Sequence, residues 1–369
     1  MSQALTVLGG GNTAFAVAAN LALRGYAVTL YEHPAFADLL DPIRQSATIR
    51  LVGVAEQGKG KIAHITDNLS EALANDLLLL IVPAYAHKPF AELCAPHLRD
   101  GHMIVITPGT LGALEFAQIV RAAGNTSDIA FAETDTAPYV CRKTAPDTAT
   151  IWGVVSALGL GVYPATKTEA VADAVAEIFT TNGRTGAPTA ISPYPNVLVS
   201  GLCAMNPVVH PAGVLMNAGR VEYSRGDFYF YEEGVTPTVA QVIYGVDAER
   251  RAIGRALGFD LLPVDAAFHA AGFGPKGDLW ATINGSRMLT QLRAPGAINT
   301  RWLTEDIPYG LGAWSRLAAQ LGVATPLMDA LVTLASVALG QDFRQVTRTP
   351  EKLGLAGMDV GEMLRYVAR

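Results

Sequence analysis

The chain has 369 residues, of which half are hydrophobic and 16% are charged, so it can bury two sizeable cores and is not expected to be disordered. Its net charge of -6 and pI near 5.7 argue against nucleic-acid binding, because phosphate recognition needs a basic surface. The longest apolar run, "LLLLIV" at 77–82, is far shorter than the ~20 residues that span a bilayer, so we expect no membrane partner.

The N-terminus "MSQALTVLGGGNTAF" lacks the basic segment and the long apolar stretch of a signal peptide. The three cysteines, Cys94, Cys141 and Cys203, are widely separated and odd in number, which suits a reducing compartment better than a disulfide framework. We therefore expect a cytoplasmic protein, with a homodimer as the candidate assembly.

In the first half of the chain, short apolar runs alternate with helical patterns. The predicted strands are "LTVLGG", "AVTLYE", "DLLLLIVP", "HMIVITPG" and "IAFAE". This alternation predicts a doubly wound parallel sheet, the Rossmann type of α/β fold. The later segment "TATIWGVVSALGLGVYP" predicts further strands of the same domain.

A change from alternating strand and helix patterns to helical patterns alone marks a predicted domain boundary. The segment "GRTGAPTAISPYP" at 183–195 carries three prolines and two glycines, which favours a linker between a dinucleotide-binding domain, 1–187, and a second domain, 188–369. Beyond it, "VTPTVAQVIYGVDAERRAIGRALG", "YGLGAWSRLAAQLG" and "TPLMDALVTLASVALG" show helical apolar spacing and end in glycine. The second domain is therefore predicted to be helical.

The first strand leads into a glycine-rich turn of the G-x-G-x-x-G/A pattern. Gly9 permits a tight turn, Gly11 lets the backbone approach a pyrophosphate, and Ala14 keeps the following helix close to the sheet. Asn12 and Thr13 open that helix, whose N-terminal N–H groups and positive dipole end attract phosphate. These five residues are predicted to bind a dinucleotide, with a purely structural turn as the alternative.

The second strand ends in an acid, Glu32, which is predicted to accept hydrogen bonds from the adenosine ribose. A carboxylate there repels a 2′-phosphate, so NAD(H) is favoured over NADP(H). The alternative is that Glu32 is a solvated strand end. His33 and Arg44 lie nearby in sequence and leave NADP(H) open as a second cofactor.

Two loops follow the next predicted strands, "VPAYAHKP" at 82–89 and "TPGTLGALEF" at 107–116. In open α/β sheets ligands bind at the carboxyl ends of the strands. Pro83 and His87 in the first loop are therefore predicted to contact the cofactor, and Thr110 in the second to contact the substrate. His87 is equally well explained as a surface loop residue.

Among the seven histidines, His210 in "MNPVVHPAGVLMN" has apolar neighbours and a proline on its C-terminal side. Because Pro211 disfavours helical backbone at His210, a helix is predicted to begin at Pro211 with His210 at its cap. As a proton carrier His210 would need a carboxylate partner, and a packed core histidine is the alternative. His64, His97 and His102 lie in predicted polar linking segments. No H-E-x-x-H or C-x-x-C pattern predicts a metal site.

Several motifs in a fixed order make the chain resemble the opine dehydrogenases. They are "GGGNTAFAVAANLALRG", "VPAYAH", "PGTLGALEF", "VCR", "NPVVHP", "YFYEEGVTP", "VDAER", "INTRWLTEDIPYGL" and "TPLMDAL". The resemblance covers nearly the whole chain. It implies a Rossmann domain followed by an all-helical domain, with the active site in the cleft between them.

The resemblance also implies a reaction, in which an α-keto acid condenses reductively with the amino group of an amino acid at the expense of NAD(P)H. By the same resemblance His210 and Asp306 form the catalytic pair and Arg301 grips a substrate carboxylate. Thr110 and Thr136 match positions that contact the keto acid.

Two other functions stay open at this level. Ketopantoate reductases and hydroxyacid dehydrogenases share the layout but reduce a carbonyl without an amine. They usually depend on a lysine in the second domain, and no lysine occurs between Lys167 and Lys276. A non-catalytic NAD(H) sensor would keep the fold without turnover.

Overall fold

The structure is a computed structural model that describes residues 3–179 and 189–369. The chain divides into two compact units, Met1–Val197 with Ala368–Arg369, and Leu198–Val367. The predicted boundary between residues 187 and 188 lies outside the described residues. The first unit is built on two sheets and the second on helices, which confirms the predicted fold class.

The first unit alternates strands and helices, as the sequence predicted. Its strands are β1 (Ala4–Leu8), β2 (Ala27–Tyr31), β3 (Thr48–Gly53), β4 (Gly58–Lys61), β5 (His64–Thr66), β6 (Leu77–Leu80), β7 (Met103–Ile106), β8 (Ala130–Thr134), β9 (Tyr139–Ala145), β10 (Thr148–Val154), β11 (Ala157–Tyr163) and β12 (Ala190–Pro193). Its helices are α1 (Asn12–Leu23), α2 (Asp41–Arg44), α3 (Leu69–Ala72), α4 (His87–Cys94), α5 (Gly112–Ala122) and α6 (Thr168–Phe179).

The main sheet has the order β12-β11-β8-β7-β6-β1-β2-β5. Its six strands from β8 to β5 are parallel, and β11 joins antiparallel to β8. The strand order reverses between β1 and β6, so the loops that leave these two strands diverge. A crevice of this kind at the carboxyl ends of the strands is where doubly wound sheets bind dinucleotides.

A second sheet, in the order β4-β3-β10-β9, covers α1 on the side away from the main sheet. This explains why α1 is apolar on every face, with Phe15, Val17 and Leu21 all fully buried. The segment predicted to add strands to this domain does so, but it divides: β10 joins the second sheet and β11 the main one.

The second unit is helical over the described residues. Its helices are α7 (Val197–Cys203), α8 (Asn206–Met216), α9 (Ala218–Ser224), α10 (Pro237–Ala256), α11 (Val264–Ala270), α12 (Leu279–Asn284), α13 (Arg301–Thr304), α14 (Gly312–Gln320), α15 (Pro326–Leu339) and α16 (Val360–Ala368). Two π-helical turns, Phe230–Gly234 and Asp306–Leu311, interrupt the series. The three helices predicted from periodicity are α10, α14 and α15, and a left-handed glycine follows each of them: Gly258, Gly322 and Gly340.

One helical stretch of the described chain, Val197–Met216, is long and apolar enough to cross a bilayer, with a mean hydropathy of 1.4. Of its apolar 18-residue window 94% is buried inside the protein, which assigns it to the core of the fold. The sequence estimate missed it because it counted only uninterrupted apolar runs.

The prediction that a helix begins at Pro211 is wrong. Helix α8 begins at Asn206 and places Pro207 in its first turn, where a missing N–H costs no helical hydrogen bond. Pro211 lies inside the helix, and His210 therefore projects from the helix body rather than from a cap. Because Pro211 has no N–H, α8 lacks one helical hydrogen bond near its start. The helix is nevertheless buried along most of its length.

Candidate active site

The glycine turn after β1 has the geometry that a nucleotide-binding turn requires. Gly9 has a φ of +126°, and its N–H donates to the carbonyl of Tyr31 at 2.7 Å. A Cβ added at Gly9 would lie 2.5 Å from the carbonyl oxygen of Ile81. Glycine at this position is therefore demanded by the protein's own backbone.

Gly11 differs, because nothing in the protein demands it. Its φ is -78°, which any residue adopts, and a Cβ added there would meet no atom of the described residues within 4 Å. Gly11 caps α1, and no side chain caps the first N–H groups of that helix. An open approach to uncapped N–H groups fits the pyrophosphate of a dinucleotide, so the residues present suit the predicted cofactor.

Glu32 is not a solvated strand end, since only 5% of it is exposed. Its carboxylate accepts the N–H of Gly10 at 2.5 Å and the N–H of His33 at 2.8 Å. Burial raises the pKa of Glu32, while these hydrogen bonds and the nearby side chains of His33 and Lys143 act to lower it. The acid predicted to bind ribose thus also ties the end of β2 to the glycine turn.

Strand β9 closes over the start of α1. The N–H of Lys143 donates to the Asn12 side chain at 2.8 Å, and the Thr13 hydroxyl lies 3.8 Å from the Cys141 sulfur. The Lys143 ammonium sits 3.6 Å from the centre of the Phe15 ring. Burial lowers the pKa of Lys143, and the charge of Glu32 opposes this. Of the predicted turn residues, Asn12 and Thr13 therefore contact β9 through their side chains, and Ala14 is fully buried.

The other predicted ligand contacts of the first unit lie at the same edge of the sheet. Pro83 precedes a short 3₁₀ turn after β6, and His87 opens α4. His87 is fully buried, so the alternative of a surface loop residue is wrong. Thr110 and Thr136 follow the neighbouring strands β7 and β8, and both are partly accessible.

A buried carboxylate fixes the loop that carries Thr110. Glu133 at the end of β8 accepts the N–H groups of Leu111 and Ala113, each at 2.9 Å, and so stabilises the start of α5. Thr110 and Leu111 both have left-handed backbone, with φ of 52° and 67°. The two hydrogen bonds to Glu133 satisfy N–H groups at the helix end and hold this strained turn in place.

In the second unit the structure brings His210 and Asp306 together. The Nδ1 of His210 lies 2.8 Å from Oδ2 of Asp306, although 96 residues separate them in sequence. Both side chains are about one-tenth exposed. The carboxylate partner that a proton-carrying histidine needs is therefore present.

Two aromatic residues that sequence reasoning missed complete the surroundings of His210. The hydroxyl of Tyr231 lies 2.9 Å from Nε2 of His210. The indole of Trp302 stacks on the imidazole, with ring centres 4.3 Å apart and planes 8° apart. Both residues occur in motifs that the sequence already singled out, "YFYEEGVTP" and "NTRWLTED", but periodicity and spacing cannot show which side chains of a motif reach a histidine.

Close packing holds this arrangement. His210 projects from α8, and its partners Tyr231 and Asp306 each lie in a π-helical turn, a distortion common at functional sites. A Cβ on Gly310 would collide with the ring of Pro207, so glycine lets the second π-helical turn lie directly on α8. The position of the Asp306 carboxylate relative to His210 is thereby set by backbone packing.

Arg301 lies one turn before Asp306 and is 55% exposed. Its guanidinium is 3.5 Å from the carboxylate of Glu305, the ion pair weighed against a role in substrate binding. An exposed pair at this distance contributes about 0–1 kcal/mol, so it leaves the guanidinium available for a stronger partner. Over the part of the chain that is described, no cluster of histidine, cysteine or carboxylate side chains could hold a metal ion.

Comparisons with known proteins identify the family. Residues 193–339 match the family model described as NAD/NADP octopine/nopaline dehydrogenase, alpha-helical domain. The opine dehydrogenase of Arthrobacter sp. (strain 1C) is 32% identical over 97% of this chain and 96% of its own length. The chain belongs to the opine dehydrogenase family. This opine dehydrogenase is thus an NAD(P)-dependent oxidoreductase that condenses an α-keto acid reductively with an amino acid.

Solved structures of other members share the fold. Octopine dehydrogenase with NADH and L-arginine aligns with a TM-score of 0.75 at 21% identity over 98% of each chain, and it has also been solved with NADH and pyruvate. Yersinopine dehydrogenase with NADP+ aligns with a TM-score of 0.73 at 16% identity, covering 100% of this chain and 98% of its own. The two-domain layout expected from the sequence is therefore that of the family.

Proposed function

We propose that His210, held by Asp306, is the acid–base group of this opine dehydrogenase. The observation that carries the proposal is the bond of 2.8 Å between a buried imidazole and a buried carboxylate that come from distant parts of the chain. A carboxylate can only accept hydrogen bonds, so Nδ1 of His210 carries a proton and Nε2 is the nitrogen that exchanges one. Asp306 also stabilises the imidazolium that forms when Nε2 is protonated.

The condensation needs His210 to move a proton twice. His210 takes a proton from the substrate ammonium, and the free amine then attacks the carbonyl carbon of the keto acid. One proton of the attacking nitrogen passes to the resulting alkoxide, which becomes a hydroxyl. The imidazolium returns its proton to that hydroxyl, which leaves as water when the protonated imine forms. Bound NADH supplies the hydride that reduces the imine carbon. General acid–base help of this kind contributes about 10²–10⁴-fold to the rate.

Substrate carboxylates are proposed to bind Arg301, with Thr110 and Thr136 contacting the keto acid. The guanidinium fork of Arg301 pairs with a carboxylate through two parallel bonds, which orients the substrate as well as binding it. The carboxylate of its present neighbour Glu305 lies 3.5 Å from the guanidinium, which is a long contact. A substrate carboxylate that engages both arms of the fork replaces a weaker contact.

NADH is the proposed cofactor, with NADPH as a weaker alternative. The contacts proposed for it are the turn residues Gly9, Gly11, Asn12, Thr13 and Ala14, together with Glu32, Pro83 and His87. The buried carboxylate of Glu32 disfavours a 2′-phosphate, while Lys143 lies close enough to reduce that repulsion. Octopine dehydrogenase has been solved with NADH and yersinopine dehydrogenase with NADP+, so both cofactors occur on this fold.

A matched pair of glycine variants tests the cofactor site. Gly9→Ala meets the Ile81 carbonyl and a strained φ, which costs about 1–3 kcal/mol for the backbone strain alone and lowers Tm. Gly11→Ala meets neither and weakens only the N-cap of α1, so its Tm falls by less, and it loses NADH affinity by about tenfold or more in a fluorescence titration. Wild-type NADH affinity in Gly11→Ala would refute the proposed phosphate contact.

The substrates are proposed to be pyruvate or a similar keto acid and an L-amino acid, as in octopine dehydrogenase with pyruvate and L-arginine. The test is NADH oxidation with pyruvate alone and with pyruvate plus each of a panel of amino acids. The proposal predicts amine-dependent turnover, with a secondary-amine dicarboxylate as the product by mass spectrometry. Turnover without any amine would instead indicate a carbonyl reductase, and NADH binding without turnover a sensor.

A cytoplasmic location and a homodimer also belong to the proposal. Over the described residues none of the three cysteines is joined in a disulfide, which suits a reducing compartment. Cell fractionation and sedimentation equilibrium test these two points. A periplasmic or secreted enzyme, or a monomer at micromolar concentration, would contradict them.

A further inference from the structure

The proton-exchanging nitrogen of His210 already has a partner. Since Nδ1 donates to Asp306, Nε2 offers a single lone pair, and the Tyr231 hydroxyl 2.9 Å away donates to it. While this bond stands, no substrate proton can reach Nε2 directly. Either Tyr231 moves aside, or protons pass through it.

Tyr231 is held too firmly to move aside. It is 6% exposed, and its ring packs edge-on against Phe230 with centres 5.1 Å apart. Phe230 in turn rests on Gly213 of α8, where a Cβ would lie 2.5 Å from its ring. Rotating Tyr231 outward would break this packing as well as its bond to His210.

The backbone of its π-helical turn is anchored at both ends. The Asn217 side-chain amide donates to the carbonyl of Gly234 at 2.9 Å, and the Glu233 carboxylate accepts the N–H of Tyr229 at 2.7 Å. Phe230 donates its N–H to the carbonyl of Leu292 at 3.0 Å. The turn therefore cannot carry the tyrosine away without losing its two tertiary hydrogen bonds, to Asn217 and to Leu292.

We propose that Tyr231 is the catalytic residue that exchanges protons with the substrate, and that His210 acts through it. The Tyr231 oxygen takes a proton from the substrate ammonium as its own proton passes to Nε2 of His210. The products of this step are a neutral amine, an unchanged phenol and an imidazolium paired with Asp306. The reverse transfer protonates the departing hydroxyl, which leaves as water.

This inference rests on the proposed role of His210, because the relay has no purpose without it. The relay gives the tyrosine hydroxyl and the imidazole a joint function. Removing either one breaks the same path, so the two losses should not add.

The experiment compares Tyr231→Phe, His210→Asn and the double variant at saturating NADH. Each single variant is expected to lower kcat by about 10²–10⁴-fold, and the double variant by no more than the worse single one. NADH affinity, measured by fluorescence, should stay within twofold of wild type in all three. The neighbouring Tyr229→Phe, which also loses one hydroxyl, is the control and should keep wild-type kcat.

A proton inventory in mixtures of H₂O and D₂O separates relay from packing. The relay predicts that two protons contribute to the solvent isotope effect on kcat. If Tyr231→Phe is too unstable to measure, difluorotyrosine at position 231 keeps the ring and hydroxyl but is a stronger acid. The relay then predicts a shift of the kcat pH profile toward lower pH, which a structural role would not produce.

The outcomes separate the relay from the proposed function. Near-normal turnover in His210→Asn would refute the role of His210 itself. Loss of turnover in His210→Asn with wild-type kcat and isotope effect in Tyr231→Phe would overturn the relay alone. Additive losses in the double variant, or a pH profile unchanged by difluorotyrosine, would also overturn it.

Discussion

Two buried histidines, one in each unit, show what separates structural from chemical use of the same side chain. His102 in the sheet unit is 1% exposed, and both ring nitrogens bond to backbone: Nδ1 accepts the N–H of Arg99 and Nε2 donates to the carbonyl of Leu73, each at 3.1 Å. His210 in the helical unit is 8% exposed, and its nitrogens meet a carboxylate and a phenol.

The difference lies in the partners rather than in burial. Backbone N–H and carbonyl groups do not titrate near neutral pH. They therefore fix His102 in one neutral tautomer. Burial lowers the pKa of His102, and the nearby Arg99 cation adds to this. Asp306 instead stabilises a charged imidazole, and Tyr231 can pass a proton. Only the second environment supports acid–base work.

Removing the carboxylate of Asp306, which distinguishes His210 from His102, should have the largest effect on kcat. Asp306→Asn can donate to Nδ1 and so stabilise the wrong tautomer of His210, and we expect kcat to fall by about 10²–10⁴-fold. Steady-state kinetics with the preferred substrate pair measure this. Asp329→Asn on α15, which removes the charge of an exposed carboxylate and keeps an oxygen that can accept the Ser315 hydroxyl, is the matched control. A kcat within threefold of wild type in Asp306→Asn would make His210 a second structural histidine.

Removing the imidazole of His102 should lower the stability of the fold without changing catalysis. His102→Leu leaves the Arg99 N–H and the Leu73 carbonyl buried without their partner, which costs about 1–3 kcal/mol of unfolding free energy. Below the unfolding transition kcat should equal that of wild type. Urea denaturation and kinetics on the same preparation test both statements, with the exposed His97→Leu as control. A large loss of kcat in a folded His102→Leu protein would show that His102 is not purely structural.

The smallest effect is a pH dependence of stability. His102 stays neutral in the folded protein because burial lowers its pKa below 6.5, whereas the unfolded chain binds a proton near that pH. The unfolding free energy should therefore fall as the pH drops below 6.5, by at most about 1.4 kcal/mol per pH unit from this group. Comparing wild type with His102→Leu between pH 7.5 and 5.5 isolates the contribution. Parallel curves for the two proteins would show that His102 is not its source.

The backbone geometry of the glycine turn could be predicted from the sequence more directly than the His210–Asp306 contact, for a physical reason. Gly9, Gly11, Ala14 and Glu32 act through local backbone geometry, which a short spacing pattern encodes. The alternation of strands and helices in the first unit and three long helices in the second were likewise predicted from hydrophobic periodicity. His210 and Asp306 were paired only through resemblance to a family, because no local rule joins residues 96 positions apart.

What the sequence could not predict depends on tertiary packing. Tyr231 lies in a π-helical turn and Trp302 in α13, and both reach His210 through tertiary packing. No sequence pattern reveals which face of a turn or short helix points inward. His102 was placed in a polar linking segment, and a surface loop position was the alternative for His87, yet both are buried. The helix start at Pro211 failed because a proline can lie inside a helix that tertiary contacts bury.

The central claim is that His210 moves the proton and does not merely pack. The most direct measurement is a single-turnover experiment on His210→Asn with bound NADH, pyruvate and the preferred amino acid, beside an NADH titration of the same protein. The account predicts wild-type NADH affinity and a rate of NADH oxidation lower by about 10²–10⁴-fold. A near-normal rate of NADH oxidation with the same affinity would contradict it.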